Sequence, residues 1–342
     1  MRLTPVVVVV AALAAVPQPA GAQDAPHRIV VREVLRSARN GAYQGRDRGP
    51  EQADRFSRKV KLGRDGRVSV GNISGDITVT GGSGDEVSIE AVKRTRGDRS
   101  QLANVRIVVD DRPGRVDVRA EYDSNRFTRN NNVSVDFTIT VPNGASVEVK
   151  SVSGSVKVSG VRGAVRGESV SGDVTTTDTP KVEAAKTVSG DVTLSGIQND
   201  GDLSASSVSG NVRARGVKAH ALDLGSVSGD LTVSDVTCDR LNAKSVSGGF
   251  EYTGSIARGG VYDVNLHSGT VRFVLANPSG FELTANTFSG SIRSDLPLTI
   301  GGTSDRGQRR GVNNRSMRAT FGDGSATLTV RTFSGDIVIA KR

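Results

Sequence analysis

Short runs in which apolar and polar residues alternate recur along the chain, each broken by a Ser-Gly pair: NISGDITV, SVSGSVKV, SVSGDVTT, TVSGDVTL, SVSGNVRA, SVSGDLTV, SVSGGFEY, LHSGTVRF, TFSGSIRS and TFSGDIVI. A period of two is the signature of a strand with one buried face, because successive side chains point to opposite sides of the backbone. The glycines of these motifs are Gly75, Gly154, Gly172, Gly190, Gly210, Gly229, Gly248, Gly269, Gly290 and Gly335, and from Gly154 to Gly290 they are 18, 18, 20, 19, 19, 21 and 21 residues apart. Self-similarity at a near-constant spacing of about 20 residues predicts a repeat architecture.

Alignment on the glycine gives each unit an inner face. Positions seven and five before it are apolar in most units, as in Val147 with Val149, Leu222 with Leu224 and Leu328 with Val330. Positions two and four after it carry Val156 with Val158, Val192 with Leu194 and Ile337 with Ile339. The residues two before it, Ile73, Val152, Val170, Val188, Val208, Val227, Val246, His267, Phe288 and Phe333, are assigned to the interior on the same grounds. A second set of glycines six residues after the first, including Gly160, Gly196 and Gly216, marks another turn. Each unit therefore reads as strand, Ser-Gly corner, strand, variable corner.

One such unit buries too few apolar side chains to offset the entropy of ordering it, so the units must stack. The predicted fold is all-β: a single-chain parallel β-solenoid with rungs of about 19 residues, right-handed as parallel crossovers nearly always are. A leucine-rich repeat would need an L-x-x-L-x-L core, and a membrane barrel strands of about 10 residues with aromatic girdles; neither pattern is present.

Two breaks divide the chain. Gly75 and Gly154 are 79 residues apart, leaving room for an irregular β-rich N-terminal layer over residues 60–145, with a hairpin at Asp111 to Gly114 or four irregular rungs as alternatives. Gly290 and Gly335 are 45 apart, which predicts a basic loop insertion at about 302–324 within the repeat solenoid of residues 146–342. Beyond the last motif the chain ends shortly after Ile339, so that rung is expected to leave an open strand edge for self-association.

The N-terminal residues have Arg2, an apolar run from Val6 to Val16 and small residues at Ala20 and Ala22, the pattern of a secretory signal peptide over residues 1–22. Residues 23–59 are polar and basic, a disordered or partly helical linker. The expected location is outside the cytoplasm: periplasmic, outer-surface or secreted. No transmembrane span is expected in the mature chain.

Composition removes several function classes. The 342 residues include one cysteine, Cys238, no tryptophan and three histidines, which excludes a disulfide scaffold and a zinc cluster. His27, His220 and His267 share no ligand or triad spacing, and no nucleophile-elbow, dinucleotide or phosphate-loop pattern occurs. No catalytic, cofactor or metal residue is assigned, and no cofactor is expected. The serines before each corner glycine should line one edge and cap turns; the acidic residues after it, Asp76, Asp173, Asp191, Asp230 and Asp336, suit turn stabilisation better than calcium, since the nonapeptide of calcium-binding rolls is missing. Net charge is +9. Part of it sits in the insertion, where Arg306, Arg309, Arg310, Arg315 and Arg318 form a candidate contact for an anionic partner. Aromatics to stack bases are lacking there, so nucleic acid is not an expected partner.

The recurrent SVSGDV, the late FGDGSATLTV and the terminal TFSGDIVI resemble the bacterial "putative adhesin" domain family over about Val60 to Arg342. The resemblance implies a β-solenoid module on exported and envelope proteins, with no established catalytic motif to carry over. The expected function is a non-enzymatic adhesin-like interaction or scaffold module with an envelope, glycan or protein partner. A polysaccharide-binding or polysaccharide-cleaving β-helix and a self-assembling envelope protein are the alternatives.

Overall fold

The computed structural model describes residues 50–123, 132–276, 279–300 and 315–342. The predicted signal segment, and the predicted linker up to residue 49, lie outside them. Among the described residues the strands form two long sheets, one of 13 and one of 14 strands, that face each other across a continuous apolar interior. The chain is a parallel β-solenoid, as the repeat predicts.

Each rung places the strand before its corner glycine in one sheet and the strand after it in the other. The Gly172 rung is typical: Ala164–Ser171 pairs in parallel with Ser146–Ser153, and Val174–Thr177 pairs with Val156–Ser159. Register is one to one in these pairs, so like positions stack into columns, with Val174 on Val156 and beneath Val192; against Lys181–Ser189 the register shifts by a bulge between Val165 and Arg166. The positions two after the glycine are buried in all ten rungs, and those four after it in all but the Gly290 rung, where Ser294 stands. In the two rungs around Gly248 and Gly269 the interior holds aromatic rings. Phe273 packs at 5.5 Å from both Phe250 and Tyr252, and Tyr252 meets Tyr262 edge-on at 5.9 Å. Both hydroxyls are satisfied within these turns: Tyr252 donates to the Ser255 carbonyl at 2.6 Å and Tyr262 accepts from the Ala257 N–H at 2.9 Å. At the second corner Gly160, Gly196 and Gly216 have φ near +60°, and Asp178 and Asp235 occupy the equivalent slot at φ of 50° and 52°.

Thr176 is the polar member of an otherwise apolar column, between Val158 and Leu194, fully buried and with no partner for its hydroxyl. Thr176→Val keeps the shape and removes an unsatisfied buried group, so we expect a gain of about 1 kcal/mol, read as a raised midpoint in urea.

Both ends of the solenoid depart from the expected order. The last unit of the sequence is not the last rung. Ala326–Ser334 lies between Val261–Ser268 and Phe281–Ser289, and Ile337–Lys341 lies between Val271–Leu275 and Ile292–Ser294. The open edge expected at Ile337 and Ile339 is therefore occupied on both sides. The residues expected to form a basic loop include an antiparallel strand, Ser316–Phe321, which covers Phe281–Ser289 and carries the two-residue strand Thr299–Ile300 on its far side.

The N-terminal end mirrors this. The Gly75 rung sits inside, on Ser146–Ser153 and Val156–Ser159, while later residues lie outside it. Arg115–Tyr122 and Ser134–Pro142 pair with it in parallel, forming a further turn of the stack. Val105–Arg112 folds back on Arg115–Tyr122 in the predicted hairpin, and Glu86–Thr95 and then Gln52–Lys61 continue the other sheet antiparallel. Gln52–Lys61 is thus a ten-residue strand where a linker was expected to run to residue 59. Its alternating Phe56 and Val60 pack on the layer beneath, and its exposed Arg55, Arg58, Lys59 and Lys61 discourage further edge pairing.

Cys238 is buried and free, its thiol pushed up to about 12 by burial, consistent with a packing role. Among the described residues no helix is long and apolar enough to cross a membrane.

Candidate functional site: an exposed apolar corner

The site is a consequence of strand parity. Positions seven and five before the corner glycine point inward, so a continued alternation buries the residue three before it and exposes the residue two before it. The structure shows that arrangement and corrects the sequence assignment. Ile73 and the six valines of the column are 41 to 50% exposed, Phe333 is 50% and Phe288 63% exposed, and His267 is exposed as well. Buried in their place are small polar residues: Asn72, Ser151, Ser169, Thr187, Ser207, Ser226, Ser245, Thr287 and Thr332, with Leu266 in the Gly269 rung.

These residues hold the corner together. The hydroxyls of Ser169, Thr187, Ser207 and Ser226 donate to the corner-glycine carbonyl of the preceding rung at 2.8 to 3.1 Å. Thr287 does the same to Gly335 at 2.9 Å, the rung that precedes it in space though not in sequence. The Ser151 and Ser245 hydroxyls have no partner, and the Gly75 carbonyl beneath Ser151 accepts from Asn72 at 2.9 Å.

The parallel register pairs Ser169 with Ser151 and Ser171 with Ser153, so Val170 stands beside Val152. Repeated over ten rungs at about 4.8 Å, the column runs for roughly 43 Å. Its spatial order is Ile73, Val152, Val170, Val188, Val208, Val227, Val246, His267, Phe333 and Phe288. The last three are stacked flat, with centroids 5.1 Å apart for His267 and Phe333 and 4.8 Å for Phe333 and Phe288.

Two polar flanks border the column. On one side are the residues four before the glycine, among them Lys150, Glu168, Lys186, Lys244 and Arg331. Lys150 is held further in its charged form by a hydrogen bond to Glu148. On the other side the exposed serines are followed by the acidic column. Each carboxylate accepts the backbone N–H of the next rung: Asp76 from Ser155 at 2.8 Å, Asp173 from Asp191 at 2.8 Å, Asp230 from Gly249 at 2.7 Å and Asp336 from Ser291 at 2.8 Å. Asn211 serves in the same way toward Asp230 at 2.9 Å. This is the turn-stabilising role expected for these residues. Asp191 is held below the usual carboxylate range chiefly by the hydrogen bond from Arg213, and Asp336 by the Ser291 N–H and hydroxyl, so both stay ionised at neutral pH. One flank is thus mainly basic and the other mainly acidic.

A groove of about 690 Å³ follows the N-terminal part of the column, floored by Ile73, Val152, Val170 and Val188 and rimmed by Lys150 and Lys186. A second depression, of about 520 Å³, lies at the aromatic end between Phe288, Phe333 and Arg331. The predicted basic contact divides there. Arg315 lines this depression, and its carbonyl accepts the Thr287 N–H at 2.7 Å. Arg318 lies on the added antiparallel strand opposite Thr284. Arg306, Arg309 and Arg310 fall outside the described residues.

The histidines do not converge: His220 contacts Asp239 at 3.0 Å on the surface, and His267 belongs to the stack. Among the described residues no three His, Cys, Asp or Glu side chains cluster to hold a metal ion. The exposed apolar column was legible in the sequence, since parity counted from the strand interior identifies it.

The fold and corner together define a class, the single-chain β-solenoid with a repeated Ser-Gly corner. Within it the chain belongs to the Toastrack DUF4097 family, whose model matches residues 66–340. No curated protein matches the chain. Among solved structures it is similar to a "putative adhesin" from Bacteroides fragilis, at 14% identity over 84% of this chain and 97% of that one, with a TM-score of 0.42. It is also similar to a "putative lipid binding protein" from Parabacteroides distasonis, at 14% identity over 84% and 96% of the two chains, with a TM-score of 0.46. A "putative adhesin" from Parabacteroides merdae matches at 9% identity over 84% and 96%, with a TM-score of 0.42.

Proposed function

We propose that this protein is an exported, non-enzymatic interaction module of the cell envelope, and that its working surface is the apolar corner. The observation that carries this reading is the uninterrupted column of half-exposed valines and aromatics along ten rungs. Folding does not require it, because the rungs are closed by the interior columns and by hydrogen bonds to the corner carbonyls. A contiguous exposed apolar strip is the usual mark of an interaction surface. The leader-like pattern of residues 1–22 supports export. Against catalysis stands the use of the corner carboxylates, which are engaged with backbone N–H groups; acid–base chemistry would need carboxyls converging on one substrate position.

The triple variant Val170→Ser, Val188→Ser, Val208→Ser tests the reading. Its far-ultraviolet circular dichroism should match the parent, with a modest fall in melting temperature from the lost cross-strand valine contacts. Its binding to isolated envelope fractions should fall at least tenfold. Retention of full binding would overturn the assignment of the corner. Release of reducing or unsaturated ends from polysaccharides would replace the reading with an enzymatic one.

A further inference from the structure

The corner has a repeat, a length and a charge pattern, and together they specify what covers it. We propose that a second copy of this chain packs on the column, side by side and pointing the same way, so that the two solenoids share a two-fold axis parallel to their length. The inference rests on the corner being the working surface and names its occupant.

The first argument is spacing. The column presents one apolar side chain every 4.8 Å or so. An extended peptide laid along it repeats on one face at about 6.8 Å, and a helix at about 5.4 Å per turn, so neither stays in step over ten rungs. Another copy of the same column does. The second is area. Ten side chains exposed to about half their extent present roughly 700 to 800 Å², close to the about 800 Å² per partner of a stable specific interface.

The third argument is charge, and it fixes the orientation. Viewed down onto the column, a net basic flank with Lys150, Lys186, Lys244 and Arg331 against the one acid Glu168 lies on one side, and the acidic flank with Asp173, Asp191, Asp230 and Asp336 on the other. A two-fold axis across the solenoid would set basic against basic and acidic against acidic. This crosswise axis would set Lys150 on Arg331 and Lys186 on Lys244. A two-fold axis along the solenoid sets each basic flank against the partner's acidic one, with Lys186 and Arg331 at the level of Asp191 and Asp336 in their own rungs, and Glu168 at the level of Asp173 as the one like-charged pair. Every valine then faces its own equivalent, and the stack of His267, Phe333 and Phe288 meets its copy. Lengthwise growth is opposed at three of the four sheet edges, which are strands of two and three residues and the charged strand Gln52–Lys61; the fourth, Val105–Arg112, carries the charged Arg106, Asp110, Asp111 and Arg112.

The experiment is sedimentation of the full exported chain from 1 to 100 µM, alone and as two variants. The parent should be a dimer, and Val188→Lys with Val208→Lys should weaken association at least a hundredfold while its far-ultraviolet circular dichroism stays that of the parent, any fall in melting temperature being that expected from lost association. Val152→Cys reports orientation: oxidised glutathione should link it to its own equivalent, because the parallel pair places the two side by side. The crosswise pair would set Val152 opposite Phe333, and the only other cysteine is buried. A monomeric parent at 100 µM, a dimer indifferent to the lysines, or a dimer whose Val152→Cys form resists linking would each overturn the proposal. A monomer that still binds envelope through the corner, or takes up a fluorescent fatty acid there, overturns this proposal and leaves the functional reading standing. A dimer broken by the lysines with envelope binding intact supports the pairing and removes the corner from the functional reading.

Discussion

Gly210→Ala is expected to destabilise the protein by at least about 3 kcal/mol, seen as a large fall in the urea midpoint or as failure to accumulate in soluble form. A Cβ at this position would lie 1.9 Å from the Gly190 carbonyl oxygen of the neighbouring rung, and the backbone φ is +154°, where L side chains are strained. The neighbour cannot retreat cheaply. The Gly190 carbonyl accepts the Ser207 hydroxyl at 2.8 Å, and the corner N–H of Gly190 donates to the Ser209 carbonyl at 3.1 Å, so separating the corners breaks both contacts. The same close approach recurs up the stack, at 2.1 Å for Gly154 on Gly75 and 2.0 Å for Gly335 on Gly269. Gly225→Ala is the control. That glycine lies within a strand at ordinary φ, and its added Cβ would meet nothing closer than Ser206 at 3.7 Å, so a change within about 0.5 kcal/mol is expected.

The second large effect concerns the chain's end. Amide hydrogens of Ile337–Lys341 should exchange at least a hundredfold more slowly than those of Ile292–Ser294, although the former lies next to the C-terminus and the latter does not. Ile337–Lys341 is flanked on both sides by strands, and Ile337, Ile339 and Ala340 are buried. Ile292–Ser294 is the outermost strand of its sheet. Exposed edges open locally at little cost, whereas an interior strand exchanges only when its neighbours leave. Stacking in sequence order would predict the reverse ranking, so slow exchange at Ile292–Ser294 with fast exchange at Ile337–Lys341 would refute the observed strand order.

Tucking a terminal rung inside at each end has a physical rationale. A solenoid stacked in chain order ends in strands held on one side only, next to a free terminus, which is where unzipping starts. Here the Gly75 and Gly335 rungs are held on both sides. The covering elements Ser316–Phe321 and Gln52–Lys61 pair antiparallel with the strands beneath them.

The candidate site was half legible. The residues two before each glycine were conspicuous as a recurrent apolar position, and only their direction was misassigned. Counting outward from the glycine treats minus two and plus two as equivalent. The corner breaks that symmetry, since the chain leaves one sheet and enters another at a residue with positive φ. Counting from Val147 and Val149 instead buries Ser151 and exposes Val152. The recurrent Ser or Thr three before the glycine was the missing signal: a small hydroxyl repeated at an inward parity suits a buried donor to a backbone carbonyl.

The sequence by itself determined the rung. Its length, two strands, glycine corner and interior columns follow from local periodicity and backbone sterics, which are written into each unit of about 19 residues. Tertiary structure alone decided the order in which rungs stack, because units with the same apolar columns and the same Ser-Gly corner fit any neighbour equally well. The choice among them falls to connecting segments whose reach and pairing no local pattern encodes. That choice placed Phe333 between His267 and Phe288, and so assembled the exposed aromatic stack from residues that are far apart along the chain.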